Sequence, residues 1–191
     1  MRTPFLFVAL CAAACASSTP PQRFIPTGVA LAGAGDKVSF RAATLDATRL
    51  SGACVEKTQM LVKLGDHKRA ESLPRELQSN LQSFLGMKSA PAGAGVLVVR
   101  SAITGARPDD PLADLGANQP QRGDGGYTSV EIYATEGLDG PVVAALRETI
   151  RSEKLTLDGD AAWARTEKAL AEASGRFAKL VRPDLKFPGD R

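Results

Sequence analysis

The chain has 191 residues, 43% of them hydrophobic and 24% charged, with a formal net charge of +3. This is ordinary composition for one globular domain, and its basic residues are too few and too scattered to neutralise a phosphate backbone, which excludes nucleic acid as a partner. Of three cysteines, Cys11 and Cys15 lie at the N-terminus and Cys54 stands alone in the body, so a disulfide framework and a cysteine-rich zinc site are excluded too.

Met1–Thr3 carries one positive charge, Arg2, and the apolar run Pro4–Cys15 follows. The run falls short of the roughly 20 residues that a permanent membrane helix needs, which is the plan of a cleavable export signal. It ends in Ala12-Ala13-Ala14-Cys15, small residues leading into a cysteine. This ending resembles the lipobox of bacterial lipoproteins, with Ala12 where leucine is commoner. The resemblance implies cleavage after Ala14 and acylation of Cys15, the lipid attachment residue and membrane anchor. Several acyl chains hold firmly where one is marginal. With Ala16 rather than aspartate next, it also implies the periplasmic side of the outer membrane. The alternative is ordinary cleavage near Ala14 or Ala16, which leaves a soluble periplasmic protein.

Ala16–Pro26 is small, polar and Pro-rich, a tether by composition. The expected division is a signal at 1–14, an acylated start and tether at 15–28, one domain at 29–182 and a polar tail at 183–191. Gly33–Asp36 is a turn, and Lys37–Asp46 alternates as a first strand, with Val38, Phe40 and Ala42 on one side. Leu50–Ala53 breaks it. Lys57–Leu64 reads as a strand or a short helix, leaning to strand. Cys54 suits a small, partly buried apolar position, with a reactive thiol as the alternative.

Ser72–Gly86 predicts a helix: Ser72 caps it, Pro74 sits in its first turn and Glu76 faces the positive end of its dipole. Leu73, Leu77, Leu81, Phe84 and Leu85 form its apolar stripe, and Gly86 ends it. That stripe suits a core; a groove on a partner is the alternative. Val96–Thr104 predicts an interior strand with Leu97, Val99 and Ile103 on one face and Val96, Val98, Arg100 and Ala102 on the other. The long Gly/Pro-rich connection Gly105–Gly126 carries Asp109, Asp110 and Asp114, which lack the spacing of a calcium loop. Tyr127–Thr135 and Val142–Ile150 frame a Gly/Asp turn and predict a hairpin with Ile132 opposite Leu146 and Glu131 opposite Arg147. Arg100 has the parity to extend this into an Arg–Glu–Arg row on a half-exposed face, worth under about 1 kcal/mol per pair. Asp158 or Asp160 caps a last helix running to Val181, with Trp163, Leu170, Ala173, Phe177 and Val181 as its stripe.

These elements predict an α+β fold: a mostly antiparallel sheet of four to five strands packed against two helices, about 72–86 and 160–181. The strand GVLVVRSAIT, the loose loop after it, GGYTSVEIYATEGLDGPVVAALRETI and the Trp-led helix AAWARTEKALAEASGRFAKLV resemble a bacterial lipoprotein family, domain of unknown function 3313. The resemblance covers 95–181 and the lipobox-like start. It implies a small α/β body on a lipid anchor and supplies no catalytic residues.

His67 sits in a charged turn with no triad or metal-ligand spacing around it, and Ala32–Asp36 lacks the lysine and helix start of a phosphate loop. No catalytic residue, cofactor site or metal site is assigned. The expected function is a non-catalytic envelope lipoprotein that binds or assembles with another envelope component, using the unpaired edges of its sheet. The alternatives are a carrier of a small apolar molecule or lipid between sheet and helices, and an uncharacterised hydrolase. A filled core favours the first and a lined apolar cavity the carrier.

Overall fold

The computed structural model describes residues 23–62, 68–107, 126–152 and 159–186. In chain order these form β1 (Ala32–Ala34), β2 (Lys37–Arg41), a one-turn helix (Ala47–Arg49), β3 (Gly52–Val55), β4 (Gln59–Met60) and α1 (Lys68–Leu85). Then come β5 (Val96–Arg107), β6 (Tyr127–Glu136), β7 (Val142–Arg151) and α2 (Gly159–Val181). The strands make one seven-stranded sheet in the order β1-β2-β7-β6-β5-β3, with β4 also on the outer side of β5. The fold is α+β and mostly antiparallel, with more strands than the four to five expected, because β1 and β3 are too short to leave a periodic signal.

The centre forms as the alternation predicts. β6 lies between β5 and β7, with Ile132 opposite Leu146 and Glu131 opposite Arg147. Ser101 pairs with Ile132 and Ile103 with Val130, and the register shifts between Ile103 and Gly105. The edge differs from expectation. Gly52 opens β3 within the predicted break, and both β3 and β4 run parallel to β5. Lys57–Leu64 contributes only Gln59–Met60 to the sheet among the described residues.

Both helices pack on one face of the sheet and on each other. α1 begins at Lys68, so Ser72 is inside it rather than at its cap, donating its hydroxyl to the Arg69 carbonyl at 2.8 Å. Pro74 therefore sits well inside the helix, where its ring removes one backbone bond. Leu73, Leu77, Leu81 and Leu85 are fully buried, and Gly86 ends the helix with φ of 58°, the left-handed geometry that glycine accepts without strain. α2 buries Trp163, Leu170, Ala173, Phe177 and Val181; Asp158 lies outside the described residues and Asp160 lies within the helix. Arg182, just past α2, donates to the Leu85 carbonyl at 3.4 Å, placing a cation at the negative end of α1. The expected polar tail is corrected in part, because Leu185 packs on the core.

Between helices and sheet the layer is filled by Leu97, Val99, Ile103, Ile132, Leu146 and the two helical stripes. No helix among the described residues is long and apolar enough to cross a membrane.

Candidate functional site

The other face of the sheet holds the feature that the sequence did not announce. Its residues come from alternate positions: Arg100 and Ala102 on β5, Glu131, Tyr133 and Thr135 on β6, Ala145 and Arg147 on β7, and Val38 and Phe40 on β2. Glu131 sits in the middle strand, and its side chain is only 6% exposed. One carboxylate oxygen accepts Arg147 Nε at 2.7 Å. The other accepts the backbone N–H groups of Phe24 and Ile25, each at 2.8 Å. The chain bends at Ile25, so two successive amides aim at one oxygen, a small anion nest with the anion supplied by the body itself.

Side chains complete the contact. Ile25 is 3% exposed, and the Phe24 ring lies 5.4 Å from the Tyr133 ring at 54°. The Arg100 guanidinium stands 5.8 Å over the same Tyr133 ring. From Ile25 the chain must reach β1, which pairs outside β2 at the sheet's far side. That is three strand spacings, roughly 15 Å, a span that Pro26–Leu31 covers without being fully extended. Residues 24–31 are thus a strap across the face opposite the helices, and Phe24 and Ile25, expected within the tether, contact the body.

The predicted Arg–Glu–Arg row is corrected by one register step. Arg100 lies opposite Tyr133, and Ala102 lies opposite Glu131. Arg100 reaches away from the row to Glu56, with Nη2–Oε1 at 3.1 Å, and to the Leu138 carbonyl and the Thr135 hydroxyl. Nor is the row half-exposed at its centre. A buried carboxylate with three charge-assisted hydrogen bonds, each worth about 1.5–3 kcal/mol, is a stronger tie than the surface pairing the sequence implied. It also carries a desolvation cost that those bonds offset.

At the β3 edge the backbone is in part taken up. Beside β3, Ala53 N–H donates to the Lys88 carbonyl at 2.9 Å, and its carbonyl accepts Ala90 N–H at 3.1 Å. Gln78 Nε2 donates to the Val55 carbonyl at 3.1 Å. At the opposite edge β1 is three residues long, too short to template a partner strand.

The cavities among the described residues are surface grooves. One of about 690 Å³ runs between β4 and α1, lined by Thr58, Met60, Glu71, Arg75 and Gln78. A second of about 530 Å³ includes the half-buried free Cys54 with Ser79 and Gln82. A third of about 250 Å³, at the far end of the sheet, is lined by Arg107, Tyr127, Arg151, Arg165, Lys168 and Glu172. Shifted carboxyls lie at the surface: the Arg151 hydrogen bond holds Asp36 below its ordinary value, Thr48 does so for Asp46, and Arg182 for Asp184. Cys15, His67, Asp109, Asp110 and Asp114 lie outside the described residues, and no group of metal-ligating side chains occurs among the described ones.

Fold and site define an α+β body with two helices on one face of its sheet and an N-terminal strap on the other. No family model matches the chain, and no curated protein matches it. Among solved structures it is similar to a PelC dodecamer from Paraburkholderia phytofirmans, at 13% identity over 76% of this chain and 96% of that one, with a TM-score of 0.49. A dodecameric variant of that protein gives 13%, 74%, 95% and 0.48. A Xanthomonas campestris protein of the DUF330 family gives 15% identity, 74% of this chain, 90% of that one and 0.45. At these identities and scores, nothing about function passes from those proteins to this chain.

Proposed function

We propose that the protein is a non-catalytic lipoprotein of the bacterial envelope, held by Cys15 on the periplasmic side of the outer membrane, whose body binds or assembles with another envelope component. The observation that carries this reading is the strap. The chain emerging from the lipobox-like start is fastened to the central strand within nine residues of Cys15, so an anchor there would be coupled directly to the body. The filled layer between sheet and helices favours an interaction protein over a carrier of an apolar molecule. The covered β3 edge and the three-residue β1 favour a partner met through side chains over strand addition. Cys15→Ala should move the protein from the membrane fraction to the soluble fraction, and crosslinking in intact cells followed by mass spectrometry should return one reproducible envelope partner. A Cys15→Ala protein that still sediments with membranes overturns the anchor, and co-purifying lipid in the body would favour the carrier.

A further inference from the structure

The strap is fastened at Phe24 and Ile25 and rejoins the sheet at β1. Its ties to the sheet are the Glu131 carboxylate on two amides, the buried Ile25 side chain and the ring contact of Phe24. Past these, Pro26, Thr27, Gly28 and Ala30 are exposed, while Val29 and Leu31 are half-buried. Gly28 has φ of 97° with nothing near its missing Cβ, the freedom a hinge needs. By contrast, β5, β6 and β7 are bonded to neighbours along nearly their whole length. A segment tied to the sheet mainly through one carboxylate, with an exposed middle and an open hinge, belongs to the part of a molecule that opens before the rest unfolds.

We infer that residues 24–31 are a releasable latch that sets how far the body stands from its anchor. Docked, the chain is fastened at Phe24, nine residue steps from Cys15, a reach of at most about 30 Å. Released, the first fastened residue is Ala32 on β1, seventeen steps from Cys15, and the reach rises to about 60 Å. The face that release uncovers keeps Glu131 paired with Arg147, with water replacing the two amides, so the body survives opening without stranding an unpaired buried charge. The change in reach rests on the proposed anchor at Cys15; the latch itself does not.

Amide hydrogen exchange on the full-length protein, read by mass spectrometry, tests the latch. In the unaltered protein, peptides covering 24–31 should exchange at least about tenfold faster than those covering β5–β7, yet slower than an unfolded chain. Glu131→Ala should bring them to the unfolded rate while β5–β7 stays protected. Ile25→Ser, which leaves the sheet's own residues intact, should do the same if Glu131→Ala proves unable to fold. Strap peptides as slow as β5–β7, or unmoved by Ile25→Ser, overturn the inference. The reach is read separately, by energy transfer from a dye on α2 to a dye in vesicles of phosphatidylethanolamine and phosphatidylglycerol carrying the natural protein. Transfer should fall in Ile25→Ser. If the natural protein shows no transfer at all, the anchor is refuted while the exchange result still decides the latch.

Discussion

Gly52 is the position where one added carbon should uncover an edge of the sheet. It is buried at the start of β3, and a Cβ there would run into the Lys88 carbonyl and come within 3.0 Å of the Ala90 Cβ. The obstruction is largely main chain, so no flexible side chain can swing aside. In Gly52→Ala either the Lys88–Ala90 strip lifts or β3 shifts inward. Lifting forfeits the two bonds between Ala53 and that strip, about 1 kcal/mol each, and shifting overpacks the core at about 1–3 kcal/mol. The two routes together give a loss of about 1–3 kcal/mol, and at about 2–4 °C per kcal/mol for a body of this size the melting temperature should fall by about 2–12 °C. Urea and thermal unfolding followed by circular dichroism measure the loss. Light scattering measures whether the freed Ala53 edge recruits a second chain. Lys88→Ala is the control, because its side chain is exposed and only its backbone serves the edge, so its effect should stay within about 0.5 kcal/mol. A Gly52→Ala protein that melts within about 1 °C of the parent, at unchanged molar mass, refutes the close approach.

Phe177→Ala removes a fully buried ring from the middle of α2's stripe and should cost about 3–5 kcal/mol, seen as a lower urea midpoint with an unchanged slope; a loss below about 1 kcal/mol would mean that the layer is not filled there. Asp36 binds Arg151 at 2.8 and 3.2 Å, and that hydrogen bond holds its carboxyl below its ordinary 3.8. A depressed folded value means stability present above 3.8 and lost as the pH falls through the lower folded value. The gap in melting temperature between the parent and Asp36→Asn should therefore be open at pH 7 and narrow in acid, and a gap that does not narrow as the pH falls below 3.8 contradicts the pairing.

What the sequence makes legible here is whatever repeats. The alternation of 96–104, 127–135 and 142–150 and the stripes Leu73–Leu85 and Trp163–Val181 each encode a buried face several times over, so their elements and the register of Ile132 on Leu146 follow from them. Gly52–Val55 and Gln59–Met60 are too short for a period, and their parallel pairing with β5 depends on residues some forty positions away. Ser72 and Pro74 make a plausible helix start that the packing of Ala70 and Leu73 overrides, since the core needs a turn further back. The strap was illegible for another reason. Small residues and prolines around it have the composition of a linker, and its fastening is a single carboxylate 106 positions from Ile25. Glu131 itself carries a signal, an acid between Val130 and Ile132 in the middle of its strand, but the opposite Arg147 accounts for it too readily.

The strap also fixes where a mechanical load enters the molecule. Until the latch opens, a pull on the N-terminal side is carried through the Glu131 tie to β6, which has a strand bonded on each flank, and not by β1. Were the same pull to enter at β1, with its three residues on one neighbour, the sheet would come apart like a zipper, one pair after another. The Glu131 carboxylate therefore acts as a strain relief, of the kind that keeps tension on a cable away from its weakest joint.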